Sequence, residues 1–273
     1  MNPTRMLYIG LAILAAACAT SPLGRSQLML VGDDEMDKMG VEAFEQLKSQ
    51  GKVSAEPRAN AYVSCVANAI TGALPPGTAG SGQWEVRVFQ DDTANAFALP
   101  GRKIGVHTGL LKVAKTQDQL AAVLGHEVGH VIAKHGAERV SDQYATELAA
   151  SGVGAALGAL GDPSSPSHGL LMAALGVGVQ AGAQGVVLKF SRTQESEADL
   201  IGLDRMAAAG FDPRESVPLW QNMEAASKGA RPPEFLSTHP NPETRIKDLQ
   251  QRIPDAMPIA EQAHKQGRNP HCG

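Results

Sequence analysis

His126-Glu127-Val128-Gly129-His130 sets two imidazoles one helical turn apart, with a carboxylate beside the first. At that spacing both rings reach one ion, and neutral imidazole nitrogens suit zinc. Glu127 would lie next to the ion rather than on it. From there it can take a proton from water that zinc activates and return it to a leaving amine. The chemistry that such a set would support is hydrolysis of a peptide bond. A site of this kind needs a third protein ligand and an open position for water. The metzincin arrangement would put a third His six residues after His130, but Gly136 stands there and Ala133 replaces the glycine of that pattern. His135 is at the wrong offset and reads as a satisfied histidine at the surface or behind the ligands. A carboxylate from a later helix is the other source. Glu195 and Asp199 are four apart and share a face, so one can bind zinc while the other orients a ligand imidazole through its free N–H. Glu197 points elsewhere. Alone, this acidic run would be a solvated helix face.

Several elements must hold these groups. Residues 33–50 form an amphipathic pattern, and 57–74 read as a second helix closed by Pro75-Pro76-Gly77. Residues 84–90 alternate as a strand does. Residues 95–99 turn at Pro100-Gly101 into 103–107, which predicts a small antiparallel sheet. Thr116 to Gln119 has capping-box form and opens a helix that runs to about His135. Its apolar residues lie on more than one side, as expected of a buried active-site helix. Gly125 and Gly129 share the face opposite Glu127, where another backbone can come close. Helical sequence continues to 160. The apolar stretch 169–188 contains Gln180 and Gln184 and reads as a packed Ala/Gly-rich helix rather than a membrane span. Ser191 to Gln194 caps a further helix that ends before Gly210, and Asp212-Pro213 starts another. Residues 242–253 give a last short helix, followed by a polar, loose tail. The expected fold is α+β and mainly α-helical, with the small antiparallel sheet packed on the His126–His130 helix.

A chain that is 43% hydrophobic can bury a substantial core, and a net charge of −4 with scattered Lys and Arg excludes nucleic acid as a partner. Arg5 and the apolar run 6–17 form a signal peptide, too short to span a bilayer. Leu14-Ala15-Ala16-Ala17-Cys18 resembles a bacterial lipobox, which implies cleavage before Cys18 and a lipid on its thiol; ordinary secretory cleavage is the alternative. Absence of Asp after Cys18 would favour the outer membrane of a Gram-negative bacterium, with the protein facing the periplasm. The expected organisation is a signal peptide over 1–17, a linker over 18–32, the catalytic domain over 33–255 and a tail over 256–273. In an oxidising compartment Cys65 and Cys272 can form a disulfide that staples the tail to the N-terminal helices. The alternative is a buried free Cys65 and a frayed, reactive Cys272.

The motifs together are similar to the gluzincin metallopeptidase family of HtpX, BepA, LoiP and the CaaX prenyl proteases. They come nearest to LoiP-like periplasmic lipoproteins, since the chain ends before the helical-repeat domain of BepA. The matching pieces are Asn95 to Gly101, Thr108-Gly109-Leu110-Leu111, His126 to His130, Ser191-Arg192 with Glu195, Ala198 and Asp199, and Ser237-Thr238-His239-Pro240 followed by Arg245. The resemblance implies one zinc per chain, with Glu195 as the third ligand and Asp199 behind the ligands. It implies a substrate-binding strand at Asn95, Ala96, Phe97 and Ala98. It also places His239 near the metal, either stabilising the oxyanion or occupying the open position and holding the enzyme latent. Arg245 would clamp a carbonyl or pair with a helix carboxylate. The implied function is an endopeptidase that clears unfolded or misfolded envelope proteins. The alternative is a chaperone-like factor of the outer-membrane assembly machinery with a latent site. A purely structural zinc site would leave Glu127 without a role.

Overall fold

In a computed structural model, the described residues are 18–79, 82–151, 190–227, 234–239 and 242–273. The expected signal peptide over 1–17 and the apolar stretch 169–188 lie outside them. Strands β1 (Cys18–Thr20) and β2 (Ser26–Leu28) pair antiparallel within the segment expected to be a linker. Helix α1 (Asp33–Gln50) and helix α2 (Pro57–Gly72) follow. Glu56 caps α2 by accepting from the amides of Arg58 and Ala59, and Pro57, with no amide to donate, fills the first turn.

Strands β3 (Glu85–Phe89), β4 (Ala96–Leu99) and β5 (Lys103–His107) form one sheet in the order β3-β5-β4. β4 and β5 are the expected antiparallel hairpin, turned at Gly101 and Arg102, both with positive φ. β3, however, pairs parallel with β5, so the sheet is mixed. The chain crosses from β3 to the far side of β5 before β4 begins, and strand neighbours in sequence need not be neighbours in the sheet. β4 is thereby left at an edge. Its Phe97 ring covers Gly105 on β5, where any Cβ would collide with it.

Helix α3 (Gln117–Ile132) carries the histidines, and Thr116 caps it by accepting from the amide of Gln119. Helix α4 (His135–Ser151) turns away from it at Lys134, which has positive φ. Helix α5 (Arg192–Ala208) begins with a complete capping box between Ser191 and Gln194. α3 and α5 cross at van der Waals contact. A Cβ on Gly125 would sit 2.7 Å from the carbonyl oxygen of Gly202, and one on Gly129 would sit 2.7 Å from that of Ala198. The glycine face expected to receive another backbone therefore receives α5, and that closeness brings Glu195 and Asp199 up to the histidines.

Helices α6 (Ser216–Ser227), α7 (Glu234–Thr238) and α8 (Pro242–Lys265) complete the fold. The last helix was expected to stop at Ile253, before a loose tail. It runs on to Lys265 through Pro254 and Pro258, because Ala256, Ala260 and Ala263 are buried along one face. That packing outweighs the proline penalty, which is about 3 kcal/mol in a helix interior. Beyond it the chain is fastened rather than loose. Cys272 is bonded to Cys65 on α2, and the Gln117 side chain donates to the Pro270 carbonyl and accepts from the Cys272 amide. Among the described residues, no helix is long and apolar enough to cross a membrane.

Candidate metal centre

α3 presents His126 and His130 inward, and their Nε2 atoms lie 3.0 Å apart. From α5, the Glu195 carboxylate comes within 3.6 Å of each of these nitrogens. His239, at the end of α7, places Nδ1 3.1 Å from His126 Nε2 and 2.9 Å from Glu195 Oε1. One ligand atom from each of His126, His130, Glu195 and His239 falls within 4.8 Å of all the others, and all four residues are buried. Two facing imidazole nitrogens and a carboxylate make a poor set of hydrogen-bond partners and a good set of zinc donors. The orphaned atoms agree: Glu195 Oε2 and Glu127 Oε1 are buried without a hydrogen-bond partner. The cluster can hold one metal ion, consistent with zinc.

The electrostatics favour ligand forms of the side chains. Burial, reinforced by the Arg245 charge, pulls the His126 pKa down to about 4. Burial and the neighbouring rings put His130 well below its usual value. Both imidazoles are therefore neutral, as a metal requires. Burial works against ionisation of Glu195, but His239 and Arg245 more than offset it and hold its pKa below normal. Glu127 behaves differently: burial pushes it up to about 7, only partly opposed by His239.

Around the cluster sits a layer of supports. Asp199 Oδ1 accepts from His126 Nδ1 at 3.0 Å. Burial alone would raise the Asp199 pKa, but the Arg245 charge and hydrogen bonds bring it down to about 2. Arg245 Nε donates to Asp199 Oδ2 at 2.6 Å. Its Nη1 lies 2.7 Å from Glu195 Oε2 as an ion contact that lacks hydrogen-bond alignment. The guanidinium stacks 3.8 Å from the Trp220 ring. Of the two roles left open by the sequence, the geometry places Arg245 against helix carboxylates.

Three aromatic residues of this layer escaped the sequence reading. Phe190 stacks on His130 at 3.9 Å between centroids, and Phe235 stacks on His239 at 4.3 Å. Trp220 carries Arg245. Nothing in their spacing marks them; only Phe190, directly before the Ser191 cap, had a position that could have drawn attention. His135 is behind the ligands, with its Nδ1 2.9 Å from His130 Nδ1. Glu197 does point elsewhere, towards His135 and Arg25. Of the segment Asn95 to Ala98, Asn95 precedes edge strand β4 while Ala96, Phe97 and Ala98 lie in it, and the Ala98 backbone works against the rise in the Glu127 pKa.

The cluster of His126, His130, Glu195 and His239, with the Glu127 carboxylate beside it, is a donor set of the kind found in zinc metallopeptidases. Residues 57–253 match Peptidase family M48, and the chain belongs to that family. The chain is 39% identical over 176 residues to the mitochondrial metalloendopeptidase OMA1 of Schizosaccharomyces pombe, covering 64% of this chain and 48% of that protein. It is 35% identical over 178 residues to the beta-barrel assembly-enhancing protease of Escherichia coli, covering 64% of this chain and 36% of the other. It is 32% identical over 247 residues to the mitochondrial metalloendopeptidase OMA1 of Bos taurus, covering 87% of this chain and 46% of that protein. The chain thus spans about half, or less, of the length of these relatives.

Proposed function

We propose that this protein is a zinc-dependent endopeptidase acting on extended segments of unfolded proteins. The observation that carries this reading is the convergence of His126, His130 and Glu195 beside a buried Glu127 Oε1 that makes no hydrogen bond. Zinc held there would make water nucleophilic near neutral pH and draw charge from the scissile carbonyl. Glu127 accepts the water proton at Oε1 and passes it to the leaving amine. With Nε2 of His126 turned to a metal, its Nδ1–H would donate to Asp199, which Arg245 holds in place. The edge of β4 offers backbone groups to a substrate strand, which gives affinity with little sequence preference. Phe97 contributes backbone only, since its ring is committed to Gly105.

The setting we propose is the bacterial periplasm, with a lipid on Cys18 anchoring the protein to the outer membrane and misfolded envelope proteins as substrates. The name of the Escherichia coli relative, which ties that protein to β-barrel assembly, supports this setting. Removal of metal tests the enzyme reading. A zinc chelator should stop cleavage of a denatured test protein, and added zinc should restore it. Full activity in metal-free protein would end the proposal.

One observation favours a second reading, in which the site rests latent. His239 stands among the ligands rather than beside them, 3.5 Å from Glu127 through Nε2. Phe190 and Phe235 stack on its ring, and a His239 held there would compete with a substrate carbonyl for the metal. His239→Ala is then expected to raise basal cleavage of an unfolded protein. A fall of about 100- to 1,000-fold in kcat would instead assign His239 to oxyanion stabilisation.

A further inference from the structure

His126 has a direct carboxylate support in Asp199; His130 does not, and what stands behind it is longer. If His130 directs Nε2 to the metal, its Nδ1–H donates to His135 Nδ1, 2.9 Å away. His135 must then carry its own proton on Nε2, which lies 3.2 Å from Glu197 Oε2. His135 is fully buried and Glu197 nearly so, so this path is shielded from water. Glu197 is closed from outside by the turn between β1 and β2. Arg25 Nε donates to Glu197 Oε2 at 3.1 Å, and the Leu23 amide reaches Glu197 Oε1 at 3.4 Å.

The same arginine fixes the hairpin to two helices at once. Its two Nη groups grip the Glu138 carboxylate on α4. Glu138 also accepts from Gln27 on β2 at 3.0 Å and from Gln194 on α5 at 2.8 Å. Gln27 further donates to the Ala133 carbonyl, at the C-terminal end of the ligand helix. The arrangement parallels the one behind His126, where Arg245 locks Asp199: each ligand histidine leans on a carboxylate locked by an arginine. For His126 both residues lie within 57–253, the span of the family match; for His130 the arginine comes from a hairpin that precedes it.

We propose that the N-terminal hairpin is a positioning element of the metal centre, with Arg25 acting through Glu197 and His135 to fix the tautomer and orientation of His130. This rests on the reading of His130 as a zinc ligand. Docking of residues 18–28 onto α4 and α5 thereby sets how tightly the site holds zinc, although no residue of the hairpin touches the metal cluster.

Zinc affinity of the full chain, measured by competition with a chromophoric chelator, tests this without recourse to activity. Arg25→Met and His135→Phe should each weaken zinc binding by about 10- to 100-fold, the cost expected when the support of a ligand is lost. Arg25→Lys, which restores one donor, should recover part of the affinity. The double variant Arg25→Met with His135→Phe should be no weaker than the worse single one, because both cut the same path. Glu197→Gln, nearly isosteric, provides the same readout should Arg25→Met fail to fold, and urea unfolding of zinc-free protein verifies that each variant is folded. Wild-type affinity in the single variants, or losses that add in the double, would overturn the proposal. If wild type binds no zinc, the enzyme reading falls with it; if wild type and variants bind equally well, only this inference falls.

Discussion

Glu127→Gln should lower kcat for cleavage of an unfolded protein by about 100- to 10,000-fold, the usual contribution of a positioned general base, while the protein keeps its zinc. The substitution is nearly isosteric. It preserves an oxygen for the Ala98 backbone and removes only the ability of Oε1 to accept a proton. His126, His130 and Glu195 are untouched, so metal content should match wild type. The two measurements separate the candidate roles of the centre. Zinc retained with cleavage lost supports Glu127 as the base. Cleavage equal to wild type removes Glu127 from the mechanism. Loss of zinc from the variant would mean that Glu127 helps to hold the ion, and a structural rather than catalytic site would then gain ground.

The second large effect concerns stability. Arg245→Met removes a buried cation whose guanidinium serves both Asp199 and Glu195 beneath Trp220. Methionine fills much of the same volume but leaves two carboxylates facing one another in a water-poor site. Breaking a buried ion pair from one side costs about 3–5 kcal/mol. Urea unfolding of zinc-free protein should show a midpoint shifted down accordingly, and the same denaturation with zinc present should recover part of the loss, since binding to the folded state alone stabilises it. Unchanged stability together with a reduced kcat/KM would contradict the buried-network role and return Arg245 to the carbonyl-clamping role that the sequence left open.

The residues differ in how much of this was visible in the chain itself. His126, Glu127 and His130 needed only helical spacing, because 3.6 residues per turn brings positions four apart onto one face. Thr116 and Ser191 announced helix starts through local chemistry that acts over three residues, and these caps form. The face of Gly125 and Gly129 announced a close crossing without saying what crosses. Other elements were misjudged where local and distant forces disagree. Pro254 and Pro258 argue locally against a helix, yet three alanines buried against the rest of the fold carry α8 through them. The parallel pairing of β3 with β5 also contradicts the simplest expectation for successive strands, since it depends on which side of β5 the chain chooses to cross.

By itself the sequence determined the donor types, their helical spacing, the carboxylate beside them and the family motifs that join α3 to α5. These are short-range properties, fixed by a few neighbouring residues and their chemistry. Only the tertiary structure decided that Arg245 serves carboxylates, that His239 sits among the ligands against two aromatic rings, and that His135 and Glu197 link His130 to Arg25. Such contacts join residues up to 172 positions apart. No spacing rule reaches that far, because the distance between two such groups is set by the packing of helices rather than by the chain that connects them.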